Sequence, residues 1–172
     1  VGTTIFSVMS QLALQHKAVN LGQGFPDFEP PQGLREALAR AMDEGRNQYA
    51  PMHGTAPLRE QIAAKTERMY GHRPDADAEI TVTSGATEAL FSAIAAVVRA
   101  GEEVIVFDPA YDSYEPAIEL QGAKAVHLPL VAPAFSVDWQ RGRDSVTPKT
   151  RMILINSPHS PSGAVQSEAY LH

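Results

Sequence analysis

Thr83-Ser84-Gly85-Ala86-Thr87-Glu88 joins a short β-rich run, Ile80-Thr81-Val82-Thr83, to a helical stripe. Small residues at such a junction let backbone N–H groups at a helix N-terminus approach an anion, and the helix dipole favours negative charge there. Ser84 and Thr87 add hydroxyl donors. An ordinary N-cap at Thr83 or Ser84 would use the same residue types. The Gly-x-Gly-x-x-Gly fingerprint of dinucleotide binding is absent.

Two further loops follow apolar runs. Asp108-Pro109-Ala110-Tyr111-Asp112-Ser113-Tyr114 comes after Val104 to Phe107, and an aromatic in such a loop can stack on a flat, electron-poor ring or merely cover a sheet edge. Asn156-Ser157-Pro158-His159-Ser160-Pro161-Ser162-Gly163 comes after Met152 to Ile155 and is dense in hydroxyls, an amide and backbone-fixing residues. Ligands in open α/β sheets sit outside the carboxyl ends of strands. Asn47-Gln48-Tyr49-Ala50-Pro51 reads as a polar, aromatic turn before a helix.

Other chemistries find less support. His53, His72, His127 and His159 lack metal-ligand spacing, so they read as surface or supporting histidines. Asp27 and Glu29 lie in a Pro-rich extended stretch, a poor place for paired-carboxylate catalysis. Ser160 and Ser162 lack the Gly-x-Ser-x-Gly elbow of a hydrolase nucleophile.

The elements that must hold these groups alternate. Helical stripes run from about Ile5 to Gln15, Gly33 to Glu44, Pro57 to Tyr70, Ala86 to Arg99, Tyr114 to Gln121 and, poorly because of Gly142, Asp138 to Val146. Strands are expected at 80–83, 104–107, 125–130 and 152–155. Such alternation predicts an α/β protein with a mostly parallel sheet and helices on both of its faces. The expected division is 1–45, then 46–172. With 20 acidic against 14 basic side chains and no basic cluster, nucleic acid is a disfavoured partner. No cysteine is present, so disulfides, thiolate metal sites and thiol nucleophiles are out. No apolar run approaches the roughly 18 residues of a membrane span, and a cytoplasmic location is the expectation.

Four segments in order resemble the fold-type I aminotransferases that use pyridoxal phosphate: Asn20-Leu21-Gly22-Gln23-Gly24-Phe25-Pro26-Asp27, the Asn47–Pro51 turn, Thr83 to Leu90, and Asn156 to Gly163. The likeness is to the methionine, glutamine-phenylpyruvate and kynurenine branch, over nearly the whole chain. It implies a three-layer α/β/α large domain, incomplete at its C-terminal end, with residues 1–45 belonging to the small domain and inter-domain region. It also implies pyridoxal 5'-phosphate as cofactor, with an amino acid and a 2-oxo acid as substrates. Gly85, Ala86 and Thr87 match the backbone cradle for the phosphate. Tyr111 matches the aromatic on the pyridine ring, and Asn156 and Ser160 fall in the loop near that ring. Gly24 matches the glycine whose backbone meets the substrate carboxylate. Tyr49 matches a tyrosine reaching the neighbouring subunit's phosphate, which implies a homodimer with shared sites.

Two departures qualify the likeness. Ser160 stands where the family loop carries asparagine, and the shorter side chain lengthens or loses a contact worth roughly 0.5–1.5 kcal/mol. Lys17, Lys65, Lys124 and Lys149 are the only lysines, and none lies in the Ser-x-x-Lys context of the Schiff-base lysine. That lysine is expected after His172, so no residue here is a catalytic candidate and the chain alone is expected to be inactive. A carbon–sulfur β-lyase of the same fold and a non-catalytic scaffold are the alternatives.

Overall fold

The computed structural model describes residues 3–24 and 26–167, so Phe25 of the glycine-rich segment lies outside the described residues. The chain divides into two compact units, Val1–Thr55 and Ala56–His172.

In the first unit, α1 (Ile5–His16) starts where the Thr4 hydroxyl accepts the Ser7 N–H at 3.3 Å. This satisfies one of the orphan donors of a first turn. Side chains then tie the glycine-punctuated stretch to α1. Ser10 Oγ donates to Gln23 Oε1 at 2.9 Å, and Asn20 Nδ2 donates to Ser10 Oγ at 3.2 Å. Asn20 Oδ1 also accepts the Gly22 N–H at 2.9 Å. α2 (Gln32–Asp43) carries the Leu34, Leu38 and Met42 stripe. After it, Asn47 Nδ2 donates to the Met42 carbonyl at 2.9 Å, which caps the helix end just before Tyr49.

The second unit runs α3 (Ala56–Tyr70), α4 (Gly85–Val97), β1 (Glu103–Asp108), α5 (Tyr114–Glu119), β2 (Lys124–Pro129), α6 (Trp139–Asp144) and β3 (Thr150–Ile153). The strands form one sheet in the order β2-β1-β3, with both pairings parallel. Successive side chains of a strand point to opposite faces, and β1 shows it. Val104 and Val106 pack with Ile94, Val98, Ala117 and Ile118 of the α4–α5 side. Ile105 and Phe107 pack with Leu128, Leu130 and Val137, against which Trp139 of α6 lies. Both faces are therefore covered, and the buried run from Val104 to Phe107 is what a central parallel strand needs.

One expectation fails. Residues 80–83 form no strand and pair with none of the three described strands. A strand exists through its neighbour's ladder of hydrogen bonds, and this short run forms none with β1, β2 or β3. The boundaries of the other elements shift by a residue or two. Gly142 does sit inside α6; a methyl group there would meet only Trp139 Cε3 at 4.0 Å, so space does not demand glycine.

The topology locates a crevice. From β1 the chain crosses by α5 to β2 on one side, then returns by α6 to β3 on the other. Strand order therefore reverses at β1, and the carboxyl ends of β1 and β3 lie side by side. Open α/β sheets bind ligands at such a point.

Candidate functional site

The start of α4 supplies the first wall. Gly85 adopts φ +83°, a left-handed conformation costing another residue about 1–2 kcal/mol. Its N–H donates to the Thr83 carbonyl at 2.9 Å, and Thr83 Oγ1 donates to the Gly85 carbonyl at 3.0 Å. The Glu88 carboxylate turns back to accept the Ser84 N–H. With the turn closed in this way, the Ala86 and Thr87 amides meet no acceptor among the described residues. Two free donors at a positive dipole end suit an anion.

The second wall is the loop after β1. Tyr111 Oη lies 3.1 Å from Thr87 Oγ1, which joins the loop to the first turn of α4. Its ring meets Tyr114 edge-on, with centroids 5.7 Å apart and planes at 80°. Burial, then the nearby Tyr111 phenol, pushes the Tyr114 hydroxyl above its usual range, so Tyr114 stays protonated at neutral pH.

The loop's two ends meet one histidine of β2. His127 Nδ1 lies 3.0 and 3.1 Å from the Asp108 carboxylate oxygens, and Nε2 lies 3.4 Å from Glu115 Oε1. The Asp108 hydrogen bond above all holds the imidazole above the ordinary histidine value. Sequence reasoning set His127 aside for want of metal spacing. Only the parallel register, which places His127 opposite Val106, brings it to the end of β1.

The third wall follows β3. His159 is buried at 8 % exposure, and its Nδ1 lies 2.7 Å from Ser162 Oγ. The Gly163 N–H donates to the His159 carbonyl and the His159 N–H to the Ala164 carbonyl, each at 2.7 Å. The Ala164 N–H reaches Ser162 Oγ at 3.3 Å. This stapled loop presents Asn156 and Ser160.

Together these walls enclose an open cleft of about 620 Å³ lined by Ala86, Thr87, Tyr111, Tyr114, Asn156 and Ser160. Leu90 and Ile155 give it an apolar side. That size suits a small organic ligand. Five of the sequence candidates converge there: Ala86, Thr87, Tyr111, Asn156 and Ser160. Gly85 stands next to them at the head of α4 and sets the turn. Gly24 and Tyr49 belong to the first unit. Gly24 lines a shallow depression with Asn20, Gln23 and Asp27, and a Cβ on it would meet nothing within 4 Å. Tyr49 is fully exposed. The parts of the cleft fit a phosphorylated aromatic ring: free amides for the phosphate, a tyrosine beside the ring, and an amide and a hydroxyl facing them.

The family model of aminotransferases of class I and II matches residues 16–172. The chain is 56% identical to a methionine aminotransferase of Escherichia coli K12 over 98% of its own length and 44% of that protein's. It is 34% identical to human kynurenine–oxoglutarate transaminase 3, over 98% of this chain and 40% of the relative. Among solved structures, an Escherichia coli protein with an identified methionine aminotransferase function superposes with a TM-score of 0.93 at 55% identity, covering 98% of this chain and 45% of that one. The N-succinyldiaminopimelate aminotransferase of Mycobacterium tuberculosis gives 0.94 at 46% identity, covering 99% and 45%. The chain thus spans less than half the length of the curated relatives it matches.

Proposed function

Because this chain belongs to the class I and II aminotransferase family, which uses pyridoxal 5'-phosphate, we propose that its cleft holds that coenzyme in a complete protein that moves an amino group from an amino acid to a 2-oxo acid. The observation that carries the reading is the convergence of the α4 amides, Tyr111 and Asn156 on one cleft. When bound, the coenzyme supplies an electron sink for the carbon that bears the amino group. The Ala86 and Thr87 amides and the Thr87 hydroxyl grip its phosphate. Tyr111 packs beside its ring and Asn156 orients it from the opposite wall, while Ser160 offers a shorter polar contact. Gly24, with no side chain, leaves its backbone open to a substrate carboxylate.

Methionine is the amino donor we favour. The carbon–sulfur lyase and the non-catalytic scaffold, open on sequence alone, draw no support from the relatives above. The Schiff-base lysine belongs, on this reading, to the part of the relatives' length that this chain does not span. A cytoplasmic homodimer whose Tyr49 completes the neighbour's phosphate site is part of the same proposal.

The complete protein should gain visible absorption with pyridoxal 5'-phosphate and convert methionine with a 2-oxo acid faster than it converts aspartate. Gly85→Ala should destabilise the fold by about 1–2 kcal/mol in unfolding and, to the extent that the coenzyme-free turn relaxes to shed that strain, weaken coenzyme binding by up to roughly tenfold. Absence of coenzyme binding in the complete, folded protein would overturn the reading.

A further inference from the structure

Tyr111 is useful only if the loop that carries it is held; its ring rests edge-on against Tyr114, which packs on the core, and the loop's other side-chain anchors are polar. Its ends are acidic: Asp108 closes β1, and Glu115 stands in the first turn of α5. Both carboxylates meet the same ring, Nδ1 facing Asp108 and Nε2 facing Glu115. An imidazolium donates from both nitrogens, whereas a neutral imidazole donates from one and presents a lone pair from the other. With the cation gone, one carboxylate faces that lone pair and the two acidic groups oppose each other across the ring.

We propose that His127 is a positioning residue whose protonated ring clamps both ends of the loop between β1 and α5, and so fixes Tyr111 against Thr87 at the mouth of the cleft. The clamp itself is independent of what the cleft binds; only its consequence for coenzyme affinity rests on the function proposed above.

The charged groups that act on the ring from the elements packed against it are Asp108 of β1 and Glu115 of α5, and no cation offsets them among the described residues. Their hydrogen bonds and attraction raise the ionisation of His127, Asp108 contributing most through its hydrogen bond, while partial burial opposes them. The clamp is therefore closed below the ordinary histidine value and opens as pH rises through the elevated one. Because the ring is more than a third exposed, solvent screens both pairs, and opening should change the population of the held loop by up to roughly fivefold.

The complete protein, labelled with isotopically enriched tyrosine and histidine, tests this by nuclear magnetic resonance from about pH 5 to 9. The Tyr111 signal, assigned with Tyr111→Phe, should move with the same midpoint as the His127 ring. Asp108→Asn should lower both midpoints together, and His127→Gln should leave the Tyr111 signal flat. In parallel, the Kd for pyridoxal 5'-phosphate should rise up to roughly fivefold more across the midpoint in the wild type than in His127→Gln. A Tyr111 signal that stays flat while His127 titrates, or that follows a midpoint Asp108→Asn does not move, overturns the proposal. The wild-type titration needs no variant to fold beyond the one used for assignment. Loss of coenzyme binding at every pH, with the coupled titration intact, would instead count against the cleft reading alone.

Discussion

The loop after β3 and the loop after β1 wall one cleft, yet different forces hold them. Behind Asn156 the chain is stapled by short hydrogen bonds around buried His159, with Ser162 Oγ serving both the ring and the Ala164 N–H. Behind Tyr111, besides the edge-on Tyr114 ring, the anchors are charges at the surface, where Asp108 and Glu115 share His127 at 36–55% side-chain exposure. Buried hydrogen bonds are costly to leave half-made, whereas exposed ion pairs contribute little and respond to pH and salt. One wall is thereby rigid by default, and the other is adjustable.

Ile105→Ala should erase the contrast, because β1 carries one loop and pairs with the strand that carries the other. Deleting this 1 %-exposed side chain should cost about 2–5 kcal/mol in thermal or denaturant unfolding, and both loops should loosen together. A cost below about 1 kcal/mol would mean the sheet does not support the cleft as described.

Ser162→Ala should sharpen the contrast. It strands the His159 ring nitrogen and the Ala164 N–H, at about 1–3 kcal/mol. Hydrogen exchange should quicken at Gly163 and Ala164 and stay unchanged around Tyr111. Equal quickening in both loops would show them to be one cooperative unit.

The smallest effect is that of the charged anchor. His127 has a folded ionisation above its unfolded value. Its contribution is therefore complete below the ordinary histidine value and is lost as pH rises through the raised one. Discounted for exposure, it amounts to about 0.2–1 kcal/mol. His127→Gln should accordingly unfold more easily than the wild type in mildly acid solution and equally at alkaline pH. A difference that persists at alkaline pH would assign His127 a packing role instead.

Periodicity made most of the fold legible. The Leu34, Leu38 and Met42 stripe is α2, the apolar Val104 to Phe107 run is β1, and the alternation of strands and helices is the covered parallel sheet. Residues 80–83 misled because a β-rich composition says nothing about whether the run is laid against a partner strand. In the cleft, Ala86, Thr87, Tyr111, Asn156 and Ser160 lie in segments whose residue types left an ordinary cap or turn equally open, and the family resemblance singled them out; the structure brings the five to one cleft. His127 was not singled out, since neither its neighbours in sequence nor its spacing sets it apart.

Local signals travel along the chain: helix stripes, strand runs, glycine turns and motif order all follow from nearby residue types, and they determined the layers and the family. Register and crossover do not travel that way. The placement of β3 beside β1, the meeting of Thr87 with Tyr111, and the contact of His127 with Asp108 and Glu115 join residues far apart in sequence. Only packing of the sheet and its helices decided them, because a contact across strands depends on where the partner's backbone lies.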